Sequence, residues 1–155
     1  MSQETTVKPI TVSPVHYWPL DEHGHRFVLG RLIDVSAAVV REYAQEGIAA
    51  GARMGRWECE LSDDRLTWSD EVYDLFGVPR GAHVTRAEAL TYYRDHSRAA
   101  MERLRCEAIE QNRAFVIDAE MRLGHGRERC WMRVVGAPVS ENGKVTRLQG
   151  FKQIL

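Results

Sequence analysis

The first apolar stretches of the chain predict a β-hairpin followed by a helix. Residues 15–20 and 26–33 are two short, largely apolar stretches that flank the turn-forming residues 21–24, as the two strands of a hairpin do. Ser36 is a favourable helix-start residue, and residues 37–50 after it have a helix-favouring composition. The N-terminal part is therefore predicted to run strand, turn, strand and helix.

The next segment alternates between apolar and polar residues with the period of a β-strand. In the stretch RWECEL, Trp57, Cys59 and Leu61 fall on one face of the predicted strand. A turn (SDDR) and a second short strand (LTWS) follow. Three helices are then predicted: DEVYDLFG, capped by Ser69 and ended by Gly77, a short helix around 87–93, and a longer helix at 97–112.

Three further strands complete the chain and decide the fold class. Phe115, Ile117, Ala119 and Met121 share one face of the first of them, and turns at 124–126 and 142–143 separate the three. This order predicts an α+β fold with a single antiparallel sheet and helices on one face, preceded by the N-terminal hairpin and helix. The predicted organisation is a flexible lead-in at 1–14, an extension at 15–52 and one domain at 53–155.

Composition and charge exclude several classes of protein. The formal net charge of -1 argues against a general nucleic-acid binder, which normally has a basic excess. No apolar run approaches the roughly 20 residues of a membrane helix, and the N-terminus lacks the features of a secretory signal. The 3 cysteines are an odd number without C-x-x-C spacing, which indicates free thiols in a reducing compartment. We therefore expect a cytoplasmic, bacterial module.

Several motifs in the second part resemble those of a known family. The pattern Gly55-x-Trp57-x-Cys59-x-Leu61 is followed by the run WSDEVYDLFG and then by a strand that holds Trp131. Together with the segment 138–143, these motifs resemble a PAS domain over residues 53–155, most closely the branch whose first strand reads G-x-W-x-x-x-L. The resemblance implies a five-stranded antiparallel sheet, helices across one face and a small apolar cavity. It also implies a role in sensing or protein–protein signalling rather than catalysis.

One short phrase occurs near both ends of the chain. PLDEHG at 19–24 and PVSENG at 138–143 are each followed by an apolar stretch that reaches a glycine, Gly30 or Gly150. The last strand of a PAS domain usually ends in an Asp-Ile-Thr-like triplet, which Asp-Val-Ser at 34–36 resembles and Gln-Ile-Leu at 153–155 does not. Residues 15–36 therefore read either as the final hairpin of a preceding PAS domain or as a coincidence of common turn residues.

The resemblance places a possible ligand pocket between the long helix and the sheet. Its expected lining is apolar and consists of Trp57, Phe76, Met101, Leu104, Phe115, Ile117 and Met121. No cofactor is expected, because the segment AEALTYYRDH lacks the reactive cysteine of flavin-binding relatives. His96 lies where haem-binding relatives can supply a ligand, but a capping or solvent-facing role is favoured. The histidines of His23-Gly24-His25, with His16 and Asp21 nearby, are weak indicators of a metal site, and none is predicted.

An enzyme is the alternative hypothesis from a different class. Small cone-shaped α+β enzymes of the isomerase type use a carboxylate in an apolar pocket. Such an activity would require an acidic residue on the inner face of the sheet, and the predicted inner faces contain none. No catalytic residue is therefore predicted.

The predicted N-terminal helix has an apolar stripe wide enough to require burial. Relatives commonly cover the open face of a PAS sheet with the helix that precedes the domain, often from a two-fold partner. We therefore expect a homodimer, and the alternative is that the helix covers its own sheet in cis. The expected dimer interface consists of Trp18, Val39, Val40, Tyr43, Ile48 and Trp131. The expected partner is a signalling protein such as a histidine kinase, without nucleic acid and without a membrane span.

Overall fold

The computed structural model describes residues 30–123 and 128–155. The elements are β1 (Arg31–Ile33), α1 (Ala37–Ala49), β2 (Met54–Glu60), β3 (Leu66–Trp68), α2 (Asp70–Phe76), α3 (Arg86–Leu90), α4 (Asp95–Gln111), β4 (Ala114–Leu123), β5 (Glu128–Glu141) and β6 (Lys144–Ile154). All strands form one antiparallel sheet in the order β1-β4-β5-β6-β2-β3. The predicted α+β fold is therefore confirmed.

The sheet has six strands instead of the five that were predicted. The additional strand, β1, pairs with the start of β4, with Arg31 opposite Val116 and Ile33 opposite Ala114. Gly30 allows this close approach, because a Cβ at that position would lie 2.0 Å from the carbonyl oxygen of Val116. The end of the N-terminal extension thus extends the domain's own sheet, while the lead-in at 1–14 and the first predicted strand lie outside the described residues.

The helix ends follow the sequence signals, with one exception. Ser36 caps α1, since its hydroxyl oxygen accepts a hydrogen bond from the backbone N–H of Val39. Gly77 ends α2 in the left-handed conformation, with φ of 67°. Ser69 occupies the N-cap position of α2, but its hydroxyl oxygen accepts from the backbone N–H of Arg56, at 3.0 Å, and not from the helix. That hydroxyl therefore ties the start of α2 to β2.

The sheet is covered on both faces, and each face has its own apolar core. The inner face packs against α2, α3 and α4, and its cluster includes Trp57, Phe76, Leu104, Phe115, Ile117, Met121 and Leu148. The outer face packs against α1 through Ile33, Val40, Ala44, Met54, Val116, Val135 and Phe151. Helices thus lie on both faces, because the strands carry apolar residues at successive positions.

Helix α1 lies on the sheet of its own chain. Val40 is 1% exposed, and the ring of Tyr43 stacks on that of Phe151 with 5.3 Å between the ring centroids. Gly47 brings the helix close to β2, since a Cβ there would lie 2.2 Å from the sulfur of Met54. The surface of α1 that was expected to contact a partner's sheet therefore contacts the sheet of its own chain. Only residues 50–53 separate α1 from β2, so the chain returns directly to the sheet.

Replacement of Val40 by aspartate should destabilise the fold strongly. The substitution places an unpaired charge in the outer core, and we expect the free energy of unfolding to fall by about 3 kcal/mol. For a chain of this length the Tm should fall by roughly 10 °C. Thermal unfolding followed by circular dichroism measures the effect.

The adjacent Val39 supplies a matched control, because it is on the same helix but 40% exposed. Val39→Asp should change the free energy of unfolding by no more than about 0.5 kcal/mol. Equal destabilisation by the two substitutions would contradict the packing of α1 on its own sheet.

Candidate functional site

The inner core contains a small cavity between the sheet and α3 and α4. Its volume is about 60 Å³, and it is lined by Trp57, Cys59, Leu66, Trp68, Arg86, Ala89, Leu90, Tyr93, Met101, Glu102, Arg105, Phe115, Val134, Leu148 and Lys152. Of the predicted pocket residues, Trp57, Met101 and Phe115 line it. The other four, Phe76, Leu104, Ile117 and Met121, are buried in the surrounding core but are not part of its lining.

A glycine in β5 makes room for the aromatic rings beside the cavity, and the glycine opposite it in β6 allows close contact between the two strands. Gly150 and Gly136 lie opposite each other in β6 and β5. A Cβ on Gly136 would lie 2.5 Å from the ring of Phe115 and 2.9 Å from the ring of Trp57. A Cβ on Gly150 would lie 1.7 Å from the carbonyl oxygen of Val135. The two large rings can therefore lie over Gly136, where a side chain would exclude them, while Gly150 allows the close approach of β6 to β5.

The inner face also holds a buried lysine that the sequence analysis did not identify. Lys152 is 7% exposed and lies on the face of β6 that also carries Leu148. Its Nζ is 2.6 Å from the hydroxyl oxygen of Tyr93, a residue that is itself 4% exposed. The rings of Trp57, Phe76 and Tyr93 surround the amine, with their centroids 5.3 to 5.5 Å from Nζ. These rings form an aromatic cage around one polar group.

The amine of Lys152 forms no ion pair with a carboxylate anywhere in residues 30–123 and 128–155. Burial without a counter-ion disfavours the charged form, which lowers the pKa of Lys152 to about 7. Burial raises the pKa of the neighbouring Tyr93 hydroxyl, so this group is neutral at physiological pH. The pair is therefore an amine that titrates near neutral pH beside a neutral phenol.

The remaining charged residues of the cavity lining are partly exposed and paired. Arg86 forms an ion pair with Glu102, and their side chains are 20% and 38% exposed. Arg105 donates a hydrogen bond to Asp64 at 3.0 Å. The cavity thus has a paired, partly hydrated charged side and a buried side where the amine of Lys152 lies.

A larger concavity of about 260 Å³ lies beside α1 on the outer face. Its polar lining includes Arg41 and Gln149, whose side chains are joined by a hydrogen bond of 3.1 Å. Arg56, Glu58 and Thr67 of the β2–β3 edge contribute further polar groups. We consider the smaller inner cavity the better candidate site, because it is where a buried polar group lacks a full set of partners.

The residues expected at a dimer interface have different positions in the structure. Val40 and Tyr43 contact the sheet of their own chain, Ile48 is half-buried beside them, and Trp18 lies outside the described residues. Trp131 is 39% exposed on the part of the outer face that α1 does not cover. Its strand neighbour Arg133 forms a bidentate ion pair with Asp118, with distances of 2.8 and 2.9 Å, as expected for a solvated face.

The structure places His96 and Cys106 outside the lining of the cavity. His96 pairs with Glu120, with 3.4 Å between Nε2 and the carboxylate oxygen, and Cys106 is exposed on α4. His16, Asp21, His23 and His25 lie outside the described residues. Within the part of the chain that is described, no group of three His, Cys, Asp or Glu side chains has a geometry suited to a metal ion. No described helix combines the length and the apolar character needed to cross a membrane.

Comparison with known proteins finds similarity at the level of structure. No protein-family model matches the chain, and no curated protein matches it. Of the solved structures, 23 chains match. One is an RNA-binding light-oxygen-voltage receptor, with a TM-score of 0.60 and 19% identity over 67% of this chain and 30% of that chain.

Two of the matching structures come from bacterial signalling proteins. A sensory box histidine kinase/response regulator from Burkholderia thailandensis E264 has a TM-score of 0.60 and 15% identity, over 72% of this chain and 82% of that chain. The N-terminal domain of a diguanylate cyclase with PAS/PAC sensor from Marinobacter aquaeolei has a TM-score of 0.59 and 17% identity, over 65% and 94%.

The chain has a PAS-like fold. The likeness concerns the fold, since the identities are 15–19%. The fold implied by the sequence motifs is thereby confirmed. The PAS-like fold also identifies the cavity between sheet and helices as the interior of the domain, with Lys152 on its wall.

The missed lysine was recognisable in principle from strand alternation. In the stretch LQGFKQI, positions 148, 150, 152 and 154 share one face, and Leu148 marks that face as internal. Lysine is almost never fully buried unless it is paired, so exposure is the default expectation. Only the position of Tyr93 and the aromatic rings, which come from other elements, shows why the amine is inside.

The three thiols should differ in their rates of alkylation. Cys106 is exposed, Cys130 is half-buried and Cys59 is buried in the inner core. Burial also raises the pKa of Cys59 and of Cys130, which lowers the fraction of reactive thiolate. Mass spectrometry after iodoacetamide treatment of the folded chain should show Cys106 modified first and Cys59 last. Equal, rapid labelling of Cys59 and Cys106 without denaturant would contradict the face assigned to β2.

The burial of Lys152 should make stability depend on pH in a defined direction. Because its pKa is lowered to about 7 in the folded protein from 10.5, the unfolded chain binds more protons between these values, and stability should rise with pH. Relative to Lys152→Met, the free energy of unfolding of the wild type should increase by roughly 1 kcal/mol per pH unit from about pH 7 to about pH 9.5. Urea unfolding at a series of pH values measures this difference.

Lys144 is the matched control, because it lies on the same strand but is exposed. Lys144→Met should leave the pH dependence of the wild type unchanged. A Lys152→Met variant with the same pH dependence as the wild type would show that the amine is not desolvated in the folded protein.

Proposed function

We propose that the chain is a non-enzymatic sensory signalling module that detects a small ligand in its inner cavity. The observation that carries this proposal is a PAS-like fold whose small cavity is bordered by a buried amine that has a hydroxyl partner but no counter-ion among the described residues. Buried polar groups are normally satisfied, so an incompletely partnered one beside a cavity favours a ligand-binding role. The similar structures include those of a sensory box histidine kinase/response regulator and a diguanylate cyclase with PAS/PAC sensor, which supports the same class of function.

An enzymatic role of the isomerase type has weaker support. Glu120 is buried, but it is not among the residues that line the inner cavity. Glu102 does line the cavity, but it comes from α4 and is paired with Arg86. Its carboxylate is therefore already engaged by the guanidinium of Arg86. We therefore favour binding over catalysis.

Strand β6 offers a route from the cavity to the protein surface. Lys152 faces the cavity, and its neighbour Phe151 faces outward and stacks on Tyr43 of α1. On the same strand, Gln149 accepts a hydrogen bond from Arg41 of α1. A ligand that shifts Lys152 would therefore displace a strand whose other face supports α1, which is how we infer that binding reaches a partner.

The partner surface that we propose is the uncovered end of the outer face. Trp131 is 39% exposed there and Leu155 is 56% exposed beside it, with the N–H of Leu155 donating to the carbonyl oxygen of Trp131 at 3.0 Å. Exposed tryptophan is typical of residues that dominate interface energies. We propose that a second copy of the chain occupies this surface as an isologous dimer, and that the dimer acts on a signalling protein such as a histidine kinase.

Replacement of Trp131 by alanine should convert the proposed homodimer to a monomer. Light scattering coupled to size exclusion should give about twice the chain mass of 17.7 kDa for the wild type and the single mass for Trp131→Ala. The loss should amount to about 2 kcal/mol of association free energy, as for a typical hot-spot residue. The melting temperature of the variant at low concentration should stay close to that of the wild type.

Val39→Ala is the control on the surface of α1, since Val39 is exposed to a similar extent, 40%. It should remain dimeric. A wild-type monomer across the micromolar range would contradict the dimer, and loss of dimerisation in Val39→Ala alone would move the contact to α1.

A further inference from the structure

The amine of Lys152 has more hydrogen-bonding capacity than the folded chain uses. An ammonium group has three N–H donors, and the one partner of Lys152 among the described residues is the hydroxyl of Tyr93. The indole N–H of Trp57, another lining residue, also lacks an acceptor in residues 30–123 and 128–155. Unsatisfied buried donors are costly, so the interior has a deficit of acceptor atoms.

The charges of the cavity lining show which kind of acceptor is missing. The lining contains the cationic Arg86, Arg105 and Lys152 but one acidic residue, Glu102. Both arginines already pair with carboxylates, Arg86 with Glu102 and Arg105 with Asp64. The excess positive charge is therefore that of Lys152. A negatively charged acceptor would supply both the missing hydrogen-bond partner and the missing counter-ion.

The size and the walls of the cavity limit the anion further. A volume of about 60 Å³ holds roughly four or five water-sized groups. Besides the paired charged residues, its lining consists largely of apolar walls that include Met101, Phe115, Val134 and Leu148. A phosphate would place several oxygen atoms against these walls without donors. A single carboxylate with a short apolar chain fits both ends of the cavity.

We propose that the inner cavity binds a short-chain aliphatic monocarboxylate, with its carboxylate held by Lys152 beside Tyr93 and its alkyl chain against the apolar wall. This inference rests on the proposed function, because it names the class of ligand that the sensory module detects.

Binding of such an anion requires the protonated amine, so affinity should depend on pH. The pKa of Lys152 in the unliganded protein is about 7, and an anion at hydrogen-bond distance favours the ammonium form. The groups that face it do not reverse this trend: burial raises the pKa of Tyr93 and of Cys59, which stay neutral, while Arg86 is paired with Glu102 and Arg105 with Asp64. Affinity should therefore be highest below about pH 7 and fall as the pH rises.

Titration calorimetry with sodium propionate tests the proposal on the full-length chain. Wild type should bind propionate saturably near pH 6, and the affinity should fall roughly 30-fold by about pH 8.5 as the ammonium form is lost. Propionamide has the same shape without the charge and should not bind measurably. Inorganic phosphate should bind more weakly than propionate.

Two variants assign the binding to the amine. Lys152→Met should lose propionate binding, and Lys144→Met, on the exposed part of the same strand, should keep it. Lys152→Gln provides a second test should the methionine variant misfold, with folding of each checked by circular dichroism. Tyr93→Phe should weaken binding several-fold without abolishing it, because the ammonium group remains.

The opposite results would overturn the proposal. These are no saturable binding by folded wild type near pH 6, an affinity independent of pH, or propionate binding retained in Lys152→Met. Tight binding of phosphate would equally contradict a carboxylate site. Each of these results concerns the ligand class alone, whereas the proposed dimer contact is tested separately by the mass of Trp131→Ala, so the two failures are distinguishable.

Discussion

The structure depends on one constraint: a single antiparallel sheet carries apolar residues on both faces, and both must be covered. In β4, Phe115 and Ile117 face inward while Ala114 and Val116 face outward, and all four are almost completely buried. A sheet of this kind cannot leave one side to water. Helices α2 to α4 cover the inner face and α1 covers the outer face. Helix α1 is therefore as necessary to the domain as the helices that enclose the cavity.

The same constraint explains how a lysine remains inside. The inner face is packed against helices, and a second core lies on the other side of the sheet. Strand β6 therefore cannot turn Lys152 outward without removing Phe151 from the outer core. The aromatic cage and the hydroxyl of Tyr93 offset part of the desolvation of the amine. The rest appears as the lowered pKa of Lys152. Packing of the outer core thus keeps the amine of Lys152 on the inner face, although burial of that amine is itself unfavourable.

The sequence pattern was sufficient to predict those features that depend on residues close together in the chain. Gly77 and Asn142-Gly143 have positive φ as their turns require, and the alternation of Trp57 and Cys59 correctly assigned the inner face of β2. The sequence pattern did not predict features that depend on contacts between residues far apart in the chain. Residues 26–33 were predicted to form a strand, but the pattern did not show that Arg31–Ile33 would pair with the free edge of β4. The position of α1 in cis and the burial of Lys152 likewise depend on partners far along the chain.

The glycine that follows each of the two repeated phrases, Gly30 or Gly150, has a physical explanation that does not depend on the origin of the phrases. Gly30 lies against the carbonyl oxygen of Val116 and Gly150 against that of Val135, and a Cβ at either position would approach those atoms to 2.0 and 1.7 Å. In both places a strand passes so close to its neighbour that any side chain is excluded. Gly150 lies opposite Gly136, where a Cβ would approach the rings of Phe115 and Trp57, two residues of the cavity lining. The requirement for glycine therefore links the packing of the sheet to the shape of the candidate site.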